Sequence, residues 1–173
     1  MKNVVKILSL VLVVALLALP VSAANFTPSV EQKGAPAAKD PEVVIVPLTD
    51  ADKASETVQK VMEQVYTDIS KAEKLTDVMP ALDEALKTRD AKVDSSKLIV
   101  TDLFYADSTA SKKDETVFVG TNYKQGDFLL VSVFVDGEWV VLDEDMVEIT
   151  KDGSIVVGCK VCGPICFITE ITE

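Results

Sequence analysis

The sequence predicts an α+β fold: two N-terminal helices packed on an antiparallel β-sheet or sandwich-like module. Three observations predict it. Apolar residues recur at helical spacing only between about residues 50 and 88, and from Leu98 onward the chain reads as strands. Two Asp-Gly pairs, Asp136-Gly137 and Asp152-Gly153, each lie between β-rich runs, which is a strong hairpin signal. Helices first and a meander of strands after them place the helices on one face or end of the sheet.

Taken in order, residues 1–23 read as a secretory signal. Lys2 and Lys6 supply a basic start, Ile7 to Leu19 an apolar stretch too short for a stable membrane span, and Val21-Ser22-Ala23 the small residues for cleavage after Ala23. No cysteine stands at the cleavage point to take a lipid, and no second apolar run follows, so the expected product is released outside the cell and free of the membrane. Residues 24–42, with three prolines and a glycine, read as a flexible leader. A single domain is expected over 43–173.

EVVIVPL, ended by Pro47, fits a first strand near a sheet edge, where proline both tolerates and discourages further pairing. Thr49 and Asp52 are positioned to cap a helix of about five turns, whose inward stripe is Val58, Val61, Met62, Val65, Ile69 and Ala72. Asp77 is expected to cap a second helix, with Pro80 in its first turn and Ala81, Leu82, Ala85 and Leu86 facing inward. TRDAKVDSS is a polar connection. Strands follow at KLIVTDLFYA and TVFVGT, then in the two Asp-Gly hairpins FLLVSVFVDGEWVVLD and MVEITKDGSIVV. Trp139 and Val141 alternate with Val140 and Leu142; with both faces apolar, this strand is expected at the centre of a sheet.

Composition narrows the function. Without the signal's two lysines, 15 basic side chains face 28 acidic ones, and Arg89 is the sole arginine. Phosphate backbones and anionic lipids repel such a chain, which excludes nucleic acid as a partner. The sequence has no histidine, which removes the usual general acid/base, the Ser-His and Cys-His pairs and the commonest zinc ligand. No catalytic constellation and no cofactor motif is recognisable.

KLIVTDLF, then TVFVGTNYKQGDFLLVSVFVDGEWVVLDEDMVEITKDGSIVV, then GPICF, in that order, resembles a β-sandwich-like module of secreted and surface proteins of Gram-positive gut anaerobes. The shared features are a GEW hairpin, an acidic-flanked DGS turn and a last strand carrying a Gly-Pro step. The resemblance spans most of residues 43–173, and the leader NFTPSVEQKGAP is similar too. It implies location outside the cell and a sandwich-like fold, and carries over no catalytic residues.

All three cysteines fall in GCKVCGPICF, as Cys159, Cys162 and Cys166. A structural zinc or iron–sulfur site wants four ligands, and only a distant acid such as Glu170 offers a fourth. Cys159-Lys-Val-Cys162 is a C-x-x-C, with Lys160 to favour a thiolate, but strand-like sequence surrounds it where a redox motif opens a helix. A disulfide suits an exported chain, and the Gly163-Pro164 step leaves a Cys162–Cys166 pairing open. The favoured reading is Cys166 as a small buried apolar residue beside Phe167.

The acidic runs are read in the same way. Asp50, Asp52 and Glu56 start like a calcium loop but lack its next ligand and glycine, so helix capping explains them better. Asp143-Glu144-Asp145, with Glu148, reads as a solvated turn before weak calcium binding. Trp139 is either a core residue, the favoured reading, or an exposed platform for a sugar together with Tyr105 or Tyr123. The expectation is a secreted, non-catalytic binding or surface-interaction module for an extracellular protein or glycan. The alternative is a thiol–disulfide protein using Cys159 and Cys162.

Overall fold

Both faces of β3 (Leu98–Asp107) are buried, and the computed structural model, which describes residues 36–89 and 92–171, shows why. β3 lies in a five-stranded sheet with helices on one side and a second sheet on the other. The order is β2–β3–β9–β5–β6, all antiparallel, with β2 at Val44–Pro47, β5 at Leu130–Val135, β6 at Glu138–Val141 and β9 at Cys162–Glu170. The second sheet has the order β1–β4–β8–β7, formed by Ala37–Ala38, Thr116–Val119, Ile155–Val157 and Val147–Ile149. The α+β, sandwich-like fold is as the sequence predicts.

Two apolar cores result. Helix α1 (Glu56–Lys71), the one-turn α2 (Leu75–Val78) and α3 (Ala81–Thr88) bury Met62, Val65, Ile69, Leu75, Leu82 and Leu86 against the outer face of the five-stranded sheet. Between the sheets, Phe104, Phe118 and Phe167 meet at tilted and edge-to-face angles, with centroids 4.9 to 5.5 Å apart. These geometries suit the ring quadrupoles and add about 0.5–1.5 kcal/mol per pair to the burial itself.

Hairpin chemistry follows the sequence. Asp136 (φ 52°) and Gly137 (φ 90°) both take left-handed backbone, as a two-residue hairpin between strands of native twist requires. The β7–β8 turn places Gly153 at φ 78° with the carbonyl oxygen of Tyr123 only 2.8 Å from where a Cβ would sit. That glycine is fixed by conformation and by space together.

Several elements differ from expectation. Leu48–Lys53 is a 3-10 turn, and α1 begins at Glu56, capped by Ser55, whose hydroxyl accepts from the Val58 amide; Thr49 and Asp52 do not cap it. Asp50 instead reaches Lys53. Asp77 does not cap the helix that holds Ala81 to Leu86: it is the third residue of α2, where its carboxylate accepts from the amide of the N-cap Lys74, and α3 starts directly after Pro80 with Ala81 exposed. β6 is an edge strand, not a central one. Trp139 and Val141 face the helix-side core, Val140 on the other face is exposed, and only Leu142, past the strand's end, enters the inter-sheet core.

The expected signal and residues 24–35 lie outside the described residues. The rest of the expected leader is tied down: Ala37 and Ala38 pair with Val119 and Phe118, and Asp40 accepts from Ser111 at 2.8 Å. Among the described residues no helix is long and apolar enough to cross a membrane.

Candidate functional site

The ladder between β3 and β9 slips by one residue: Val100 faces Ile168 and Asp102 faces Phe167, leaving Thr101 as the extra residue of a bulge. Leu98 and Val100 lie in the helix-side core, yet Leu103 joins them there while Phe104 and Ala106 line the inter-sheet core. The extra residue flips the phase of the strand. It also lets two consecutive side chains reach the Tyr123 hydroxyl. Tyr123 donates to Asp102 Oδ2 at 2.8 Å and lies 2.5 Å from Thr101 Oγ1, which also contacts the Phe167 carbonyl at 3.2 Å. The Tyr123 ring stands edge-on to Phe167 at 5.8 Å.

Burial pushes the Asp102 carboxyl up, against the lowering effect of its bonds to Tyr123 and Thr101. Burial, then the Asp102 charge, pushes the Tyr123 phenol up as well. Both shifts come chiefly from burial, as befits polar groups sealed between a loop and the sheet. This hydrogen-bonded knot pins the β4–β5 loop to the five-stranded sheet.

The second cluster is built on Arg89, which ends α3. Its Nη1 donates to the Leu129 carbonyl at 2.8 Å and its Nη2 to the Leu142 carbonyl at 3.1 Å. These carbonyls belong to the residue before β5 and the residue after β6. Two of the five guanidinium N–H groups are thereby fixed. Burial pulls the Arg89 pKa down, and the nearby Glu144 and Asp143 carboxylates push it back up. Arg89 forms no ion pair with a described carboxylate.

Beside it opens a cavity of about 390 Å³. Arg89, Asp127 and Glu144 supply its charged lining, and Phe128, Leu129, Val147 and Ile149 its apolar lining. Gly126 (φ 96°) turns the β4–β5 loop along its rim, and the Asp127 carboxylate holds that turn by accepting from the Lys124 amide at 2.8 Å. A volume of this order suits a small molecule.

The sequence-selected residues lie elsewhere. Trp139 is 7% exposed, packed in the helix-side core against Phe134 at 5.3 Å, so it offers no platform to a sugar. Cys166 is buried in the same core, the position the sequence favours for it. All three thiols are free. β9 runs through Gly163-Pro164 without a kink, and its four-residue rise of about 13 Å keeps Cys162 and Cys166 too far apart to pair. Pro164 is tolerated in this central strand because the β5 ladder is registered only over Ile165–Ile168, so its missing N–H falls past the ladder's end.

Cys159 is half-buried against the inter-sheet core, where burial pushes its thiol up, and Cys162 is exposed beside Tyr105. Lys160 donates to the Ser111 carbonyl at 2.7 Å, the Cys159 carbonyl accepts from Thr116, and the Val161 amide donates to Ser108. This C-x-x-C is thus stitched into the β3–β4 connection, with its lysine engaged by a carbonyl. Among the described residues no three His, Cys, Asp or Glu side chains are grouped to hold a metal ion. Asp143 leads into a 3-10 turn over Glu144–Met146.

Arg89 and the cavity escaped sequence reading because the lining comes from residues 89, 126–129 and 144–149, far apart along the chain. The only local signal was that Arg89 is the sole arginine. No protein-family model matches the chain, and no curated protein or solved structure is significantly similar to it.

Proposed function

We propose that this chain is an exported, non-catalytic binding module whose ligand occupies the cavity beside Arg89. The observation that carries the reading is a guanidinium held in place by two backbone carbonyls in the lining of a mixed polar and apolar cavity. A donor fixed before the ligand arrives loses little entropy on binding, which is what a recognition site gains from preorganisation. The signal-like segment at residues 1–23 supports export. The absence of histidine supports binding over catalysis.

The thiol–disulfide alternative has weaker support, since Cys159 is half-buried with its thiol pushed up and Lys160 is engaged elsewhere. The test is a two-dimensional amide NMR screen of the purified chain against a small-molecule set covering amines, carboxylates, zwitterions and sugars. The reading expects at least one class to shift the Arg89 side-chain and the Gly126, Phe128 and Val147 amide resonances together. A screen in which no compound moves them rejects it.

A further inference from the structure

The cavity's charges do not match those of a simple anion site. One cation, Arg89, shares the lining with two carboxylates, Asp127 and Glu144, and feels the charge of Glu144 and Asp143, in a chain with a formal net charge of −11. A ligand bearing only a carboxylate would gain Arg89 but meet a negative surround. One bearing only an ammonium would leave the remaining Arg89 donors without an acceptor. The Glu144 carboxylate is close enough to act electrostatically on Arg89, yet the two make no ion pair, so each is available to a group placed between them. Phe128, Val147 and Ile149 then offer half-buried apolar surface to the rest of the molecule.

Resting on the binding function above, we infer that the cavity takes a small zwitterion with an apolar side chain, an amino acid or a short peptide. Its carboxylate meets the free N–H groups of Arg89, its ammonium meets Glu144, and its side chain covers Phe128, Val147 and Ile149. Arg89 contributes position as well as charge, because its carbonyl anchors aim the fork before the ligand enters. Glu144, at the start of a short exposed turn, contributes charge alone.

The experiment titrates the purified chain with four probes, L-leucine, L-leucyl-L-leucine, N-acetyl-L-leucine and L-leucinamide, following the same cavity resonances. The zwitterions should shift them, and N-acetyl-leucine, which lacks the ammonium, and leucinamide, which lacks the carboxylate, should bind at least about tenfold more weakly, as expected for losing one charge-assisted hydrogen bond. Leucine against leucyl-leucine separates a free amino acid from a peptide as the natural source. Glu144→Gln should weaken leucine about tenfold and leave N-acetyl-leucine unchanged, a coupling that a merely structural role for Glu144 would not produce. Equal binding of all four probes, or no coupling in Glu144→Gln, overturns the inference. If other compounds move the cavity resonances and these zwitterions do not, the binding function stands and the zwitterion assignment falls. If nothing moves them, both fall.

Discussion

Replacing Tyr123 with phenylalanine removes one oxygen from the knot on the β3 bulge and keeps the ring that stands against Phe167. At neutral pH the loss falls on an Asp102 carboxyl that is 7% exposed and that accepts from that phenol. A hydrogen bond to a charged group contributes about 1.5–3 kcal/mol, against about 0.5–1.5 kcal/mol between neutral groups. The cost of Tyr123→Phe should therefore depend on pH. Burial raises the folded-state pKa of Asp102 above its ordinary 3.8, so the folded chain holds this proton more tightly than the unfolded one. The contribution of Asp102 is then fully present below about 3.8, the ordinary carboxylate range, and is lost as pH rises through the folded value. Tyr123 softens that loss by stabilising the ionised form, and phenylalanine cannot.

Urea unfolding followed by the single tryptophan, Trp139, reads this directly. Tyr123→Phe should cost about 1.5–3 kcal/mol at pH 7 and roughly half that near pH 4, with Tm falling by about 5–10 °C at neutral pH. Adding Asp102→Asn should flatten the difference between the two pH values. A loss that is the same at both, or below about 0.5 kcal/mol at pH 7, would refute the account of the knot.

Further outcomes follow from single positions. Gly153→Ala should destabilise by about 2–3 kcal/mol and Gly137→Ala by about 1 kcal/mol, because both positions have positive φ but only Gly153 has a carbonyl in the way; thermal melts of the pair check the difference. Ser55→Ala should cost about 1 kcal/mol, and Thr49→Ala almost nothing, in urea titrations. Ser70→Ala should gain about 1 kcal/mol, since its buried hydroxyl has no hydrogen-bond partner among the described residues and alanine favours the helix. In a thiol titration Cys162 should react in the native protein and Cys166 only after unfolding, as their exposures dictate.

Much of the architecture was legible because its signals are local. Asp-Gly at 136–137 asks for left-handed backbone wherever it stands, and the spacing of Met62, Val65 and Ile69 needs no partner to be recognised. What the sequence hid depends on which layer covers which face. Trp139 with Val141 and Val140 with Leu142 indicated apolar surroundings on both sides of β6, but alternation says nothing about neighbours within the sheet, and the strand is at an edge. The bulge left a readable trace in β3, where the helix-facing set moves from even to odd numbers between Val100 and Leu103. β1 left none, since Ala37-Ala38 has little strand preference and is ordered by its partner β4. The Arg89 site is hidden for the same reason as any site assembled from distant segments.

The position of β9 sets the timing of folding. β9 sits between β3 and β5, and it is made after every strand it joins. Until Cys162–Glu170 is available, the five-stranded sheet is two separate pieces, β2–β3 and β5–β6, each with an open inner edge and half a core. Closing the gap pairs residues as distant as Leu98 and Glu170, so the entropy of a long loop must be lost first and the final step is slow. Until that last strand arrives, the inner edges of β3 and β5 stay open to wrong partners, so the keystone strand also decides when the chain stops being prone to mispairing.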